Sequence, residues 1–183
     1  MGFERVPLRV LLDTSVVQNI VTFGEYIFEN FLSEKCVGKL ESLSPAMQSD
    51  IHALRNILGP VTKTPVVPII SVLSLHELSL ASELKRKALL DYGFELLDYS
   101  VRVGEAEFNM LAQNKTLFAD FLPHRIDRLL IGESKRAKCQ AFITMDYRSI
   151  LRFAERINRE DHIMVLSPSE WWNILEPWFA LWV

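Results

Sequence analysis

Short apolar runs separated by stretches of helical periodicity recur along this chain, and that alternation limits the fold more than any other feature. Leu8–Leu12, Val66–Val72, Phe94–Leu97, Ala141–Thr144 and His162–Leu166 each read as a short buried strand. Between them, apolar residues recur at threes and fours, the spacing of a helix with one face on a core. Val17 to Leu32 carries such a stripe, and Ser44-Pro45 opens a second helix through Leu58, which Gly59-Pro60 stops. Further helices are expected from Ser74, over Lys85–Tyr92 with Gly93 as terminator, and over Ser100–Phe118, Pro123–Lys138 and Tyr147–Ile157. Ser167-Pro168-Ser169-Glu170 is a capping box for a last one. Strands that alternate with helices join through crossovers. The expected architecture is therefore α/β, a mostly parallel five-stranded sheet with helices on both faces.

The chain has 183 residues, a length that suits a single domain, 1–183, with an extra helical insertion at about 33–64. Hydrophobic residues at 49% and charged residues at 23% exclude a disordered chain. Charged residues interrupt every apolar run before it could span a membrane, and Met1–Pro7 shows no signal peptide. Cys36 and Cys139 have neither metal-ligand spacing nor the numbers of a disulfide framework, so reduced thiols and a cytoplasmic location are expected. The net charge of −3 argues against a protein that coats duplex nucleic acid along its length.

In open parallel sheets, ligands bind beyond the carboxyl ends of the strands. Asp13 directly follows the first strand, Glu77 opens the helix after the second, and Asp146 ends the fourth. Asp127 lies in the first turn of the helix that leads into the fourth strand, so it should reach the same edge. Carboxylates gathered there would repel one another unless a hard cation neutralised them, and all-oxygen ligation suits Mg²⁺ or Mn²⁺. Each acid also has a plainer reading. Asp13 and Asp146 suit helix N-caps, Ser74–Glu77 matches a capping box, and Asp127 favours the helix dipole.

Leu11-Leu12-Asp13-Thr14-Ser15-Val16 resembles the opening motif of PIN domains. Ile70 to Leu78, with Glu77, resembles their second motif. Asp127 to Ser134, with small residues at Gly132 and Ser134, resembles the third, and Phe142-Ile143-Thr144-Met145-Asp146 the fourth. The resemblance spans nearly the whole chain. It implies a three-layer α/β/α sandwich and a Mg²⁺- or Mn²⁺-dependent endoribonuclease, with Asp13, Glu77, Asp127 and Asp146 as catalytic metal ligands. Many such proteins are toxins paired with an antitoxin, so the expected partners are RNA, an antitoxin protein and a second copy of the chain. Arg148 stands where the family often has another acid. A non-catalytic PIN-fold RNA-binding or scaffold protein is the alternative. A receiver-like phosphotransfer domain would need a helper lysine at a strand end, and no convincing one is present.

Thr144, Arg128 and Arg148 are the candidate substrate contacts. Lys135, Arg136, Lys138 and Arg152 add basic charge around the third and fourth motifs, where phosphate contact and a solvated helix face are equal readings. His124 reads as a surface residue at a helix start. Trp171, Trp172, Trp178 and Trp182 suit core or interface anchors better than base stacking. Glu34, Glu41 and Asp50 follow no strand and are expected to stand apart from the chemistry.

Overall fold

The computed structural model of the chain describes residues 4, 6–29, 31, 33–59, 65–104 and 118–181. Its sheet has four strands, β1 (Arg9–Leu12), β2 (Val67–Ile69), β3 (Ala141–Ile143) and β4 (Met164–Leu166), all parallel and ordered β2-β1-β3-β4. The helices are α1 (Thr14–Thr22), α2 (Gly24–Phe28), α3 (Glu34–Glu41), α4 (Pro45–Leu58), α5 (Val72–Ser79), α6 (Glu83–Gly104), α7 (Arg125–Arg136), α8 (Ala154–Asp161) and α9 (Pro168–Leu175).

Successive strand residues feed opposite faces. Val10, Leu12, Ala141 and Ile143 join one core with Ile20, Leu54, Leu78 and Trp171, whereas Leu11, Phe142 and Val165 join a second with Leu130, Ile131 and Ile157. The first core is roofed by α1, α4, α5, α6 and α9, and the second by α7 and α8. This arrangement is compatible with a three-layer α/β/α sandwich. Pro68 sits in β2, which is an edge strand, so its missing N–H costs no pairing on the outer side.

One of the five expected strands, the third, does not form: Phe94–Leu97 lies inside α6. Gly93 does not end that helix. It is buried, and a Cβ there would stand 2.6 Å from Leu75 Cδ2 and 3.2 Å from Leu78 Cδ1. The glycine therefore lets α6 approach α5 closely. Leu89, Gly93 and Leu96 then form one buried stripe at helical spacing.

Other boundaries move as well. The Val17–Leu32 stripe is split into α1 and α2 at Phe23, and the stretch over 33–59 holds two helices, α3 and α4. Residues 147–157 form a turn, a 3-10 segment at Leu151–Phe153 and the start of α8 instead of one helix. Of the expected helix over Ser100–Phe118, residues 100–104 end α6, and 105–117 lie outside the described residues. The cap expectations hold at two places. Ser44 accepts the Met47 amide with Pro45 at the first helical position, and both halves of the Ser167–Glu170 box form. Trp171 is fully buried and donates its indole N–H to the Pro7 carbonyl at 2.9 Å, so it belongs to the core. Trp182 lies outside the described residues. Cys36 and Cys139 are free thiols. Among the described residues, no helix is long and apolar enough to cross a membrane.

Candidate functional site

The carboxyl edge of the sheet is built by short-range ladder extensions. The Asp13 amide bonds the Ile143 carbonyl at 2.9 Å, and the Thr144 amide bonds Leu166 at 3.0 Å. These bonds carry the ladder one residue past each strand, so Asp13 and Thr144 stand side by side.

Asp13 is buried, and although it occupies the N-cap position of α1 its side chain makes no cap bond. Its Oδ2 instead accepts the Ser15 hydroxyl at 2.6 Å and the Thr144 hydroxyl at 2.7 Å. Burial raises the Asp13 carboxyl pKa. The hydroxyls of Ser15 and Thr144 counter the rise, and the charge of Glu77 adds to it.

Glu77 is not a capping residue either. The N-cap of α5 is Ser71, three residues earlier than Ser74, because Ser71 Oγ accepts the Leu73 amide at 2.9 Å. Glu77 therefore sits one turn into the helix, and its Oε2 accepts the Thr14 hydroxyl at 2.5 Å. Ser71 also donates to Glu133 of α7, which ties the Glu77 helix to the Asp127 helix.

Asp127 lies in the first turn of α7, whose N-cap is His124. Its Oδ2 is buried without a hydrogen-bond partner. Burial first, then the charges of Asp13, Asp146 and Glu77, push the Asp127 carboxyl up to about 6, with His124 opposing them. Asp146 does act as a local cap. Its Oδ1 accepts the Arg148 amide at 2.9 Å and the Ser149 amide at 2.7 Å, closing the turn that starts at Tyr147.

Asp127 thus feels the charges of Asp13, Asp146 and Glu77, and Asp13 feels that of Glu77. Among the described residues, however, no three His, Cys, Asp or Glu side chains are grouped so that they could hold one metal ion. The acids share a field without converging on a point. An orphaned buried carboxylate oxygen beside three further carboxylates still fits a hard cation by donor chemistry, since every available donor is oxygen.

Thr144, expected to touch substrate, is fully buried. Its Oγ1 is occupied by Asp13 and by the Asp146 amide at 3.0 Å, so it orients those two acids. Arg128 is half-buried and donates from Nη1 to the Asp120 carbonyl at 3.3 Å, with Nε buried and unpaired. Arg148 is exposed beside Asp146. Lys135 donates to the Asp161 carbonyl at 2.8 Å and lies over the Phe118 ring, while Arg136 and Lys138 are exposed.

Sequence reasoning missed the hydroxyls of Thr14 and Ser15. The available signal was three consecutive polar residues, Asp13-Thr14-Ser15, directly after an apolar strand. It also missed Asp50 of α4, which is fully buried and accepts the Tyr147 hydroxyl at 2.7 Å. Compared with known protein families, with curated proteins and with solved structures, the chain finds no match.

Proposed function

We propose that the chain is a PIN-like, Mg²⁺- or Mn²⁺-dependent endoribonuclease. The observation that carries this reading is the Asp127 carboxyl, half-buried, with one buried oxygen unpartnered, and pressed upward in pKa by burial first and then by three further carboxylates from separate elements. Folding leaves such a repulsive set in place at a cost, and a hard cation is the simplest group that removes it. Active sites are where burial and like charges are arranged to perturb acids in this way. The all-parallel sheet adds support, because ligands lie at the carboxyl edge of such sheets.

Asp13, Glu77, Asp127 and Asp146 would hold the ion. Bound there, it would supply an acidified water and neutralise charge on the attacking and leaving oxygens of a phosphodiester. The chain's own part is orientation. Ser15 and Thr144 fix Asp13, Thr14 fixes Glu77, and the turn amides fix Asp146. Arg148 and the guanidinium of Arg128 would meet the phosphate backbone. RNA as substrate, an antitoxin as protein partner, a second copy of the chain and a cytoplasmic setting belong to the same proposal.

A second reading is a non-catalytic PIN-fold protein that binds RNA. The separation of the acids among the described residues favours it. Purified protein with mixed RNA and Mn²⁺ separates the two. Metal-dependent cleavage that is lost in EDTA and in Asp13→Asn supports the nuclease. RNA binding with no cleavage at any Mn²⁺ concentration supports the second reading.

A further inference from the structure

The insertion helix α4 reaches the same edge of the sheet. Its Asp50 is fully buried, with one carboxylate oxygen accepting the Tyr147 hydroxyl at 2.7 Å and the other the Ser169 amide at 3.0 Å. Tyr147 directly follows Asp146, and Ser169 lies in the first turn of α9, just past β4. One buried acid thereby fixes two walls of an open groove of about 390 Å³. Tyr147, Leu151, Arg152, Ser167, Ser169 and Glu170 contribute to its lining. The Tyr147 hydroxyl is tethered inward to Asp50, and solvent reaches 38% of the residue.

We propose that this groove is a nucleobase subsite, in which the base next to the phosphate at Asp146 stacks on Tyr147 beside Arg152. The identity of the strand as RNA rests on the nuclease reading above. The volume is in the range of small-ligand clefts. The groove offers the Tyr147 ring, apolar contacts from Leu151 and Ala154, and the Arg152 guanidinium, which suits a planar base; the Ser167 hydroxyl is held by the Glu170 amide and by Ser169. Arg152 and Glu170 line the same groove, so their charges offset one another, which suits a neutral base better than a phosphate. Only an unstacked base can enter, which selects single strands. Asp50 is a positioning residue in this scheme. It touches no substrate and holds the ring at a fixed angle.

The test uses the full chain and a single-stranded RNA octamer carrying 4-thiouridine, irradiated both in EDTA and in Mn²⁺, with crosslinks mapped by mass spectrometry. Crosslinks to Tyr147, Arg152 or Ser169 are expected. Crosslinks only elsewhere on the chain, or none, overturn the proposal. Affinities for the octamer follow by fluorescence anisotropy. Tyr147→Ala should weaken binding roughly 5- to 150-fold, the range for losing one base stack, and Tyr147→Phe should restore most of it. Equal affinity for wild type and a folded Tyr147→Ala also overturns it. If Tyr147→Ala does not fold, the wild-type crosslink map decides alone. The two readings fail separately. Crosslinks in the groove without Mn²⁺-dependent cleavage remove the nuclease and keep the base site. Cleavage with crosslinks elsewhere does the reverse.

Discussion

Replacing Asp127 by Asn should make the metal-free protein more stable. A carboxyl moved from its usual 3.8 to about 6 corresponds to about 3 kcal/mol at most. Asp127 is only half-buried, so solvent screening cuts this to roughly 1 kcal/mol. For a chain of this size, that is a rise in Tm of roughly 2–4 °C. The sign follows from linkage. The folded-state pKa is raised, so the stability this group allows is fully present below about 3.8 and is lost as pH climbs through about 6. The advantage of Asp127→Asn should therefore be near zero at pH 4, grow between pH 4 and 7, and level off above. The assay is thermal melting in EDTA across that range, followed by the same series with Mn²⁺. A cation at one hundred times its Kd adds about 2.7 kcal/mol to the form that binds it. With Mn²⁺ at pH 7.5 the order should invert, wild type melting above the variant. A variant that melts below wild type in EDTA at pH 7.5, or whose advantage is the same at pH 4, refutes the argument that burial and the neighbouring carboxylates disfavour the Asp127 charge.

Asp13→Asn should lose the Mn²⁺ shift in melting and RNA cleavage together, while Asp98→Asn on the exposed face of α6 should match wild type in both. Asp50→Ala strips the Tyr147 hydroxyl and the Ser169 amide of their acceptor, and urea denaturation should read a loss of about 2–4 kcal/mol. Gly93→Ala should lower stability by about 1–2 kcal/mol, because crowding against Leu75 and Leu78 outweighs the gain in helix propensity; a more stable variant would mean those side chains simply move aside. Single-stranded RNA should be cleaved in preference to duplex, since a net charge of −3 offers no long basic track, and equal cutting of hairpin stems and loops would contradict that.

Much of the fold was legible in the sequence because its signals are local. Strand period, helix period and caps act within one turn or one strand, and Leu8–Leu12, Ser44-Pro45 and Ser167–Glu170 fold as that arithmetic requires. The strand ends likewise drew attention to Asp13, Glu77, Asp127 and Asp146, and the charges of the other three reach Asp127 in the folded chain. What escaped was decided between elements. Gly93 reads as a helix stop until α5 lies against it, where the missing Cβ becomes the reason α6 continues and Phe94–Leu97 is not a strand. Ser74 reads as a cap until Ser71 takes the role three residues earlier. Thr14, Ser15 and Thr144 have hydroxyls that any surface would accept; Ser15 reaches Asp13 from two residues away, but only the parallel pairing of β1 with β3 brings Thr144 onto the same carboxylate. Asp50 is the plainest case. In the sequence it is a polar residue in an amphipathic helix, far from any strand, and only packing of α4 against α9 delivers it beneath Tyr147. Periodicity tells which face of an element is buried, but a hydrogen bond between residues 97 positions apart depends on how whole elements dock, and no local pattern encodes that.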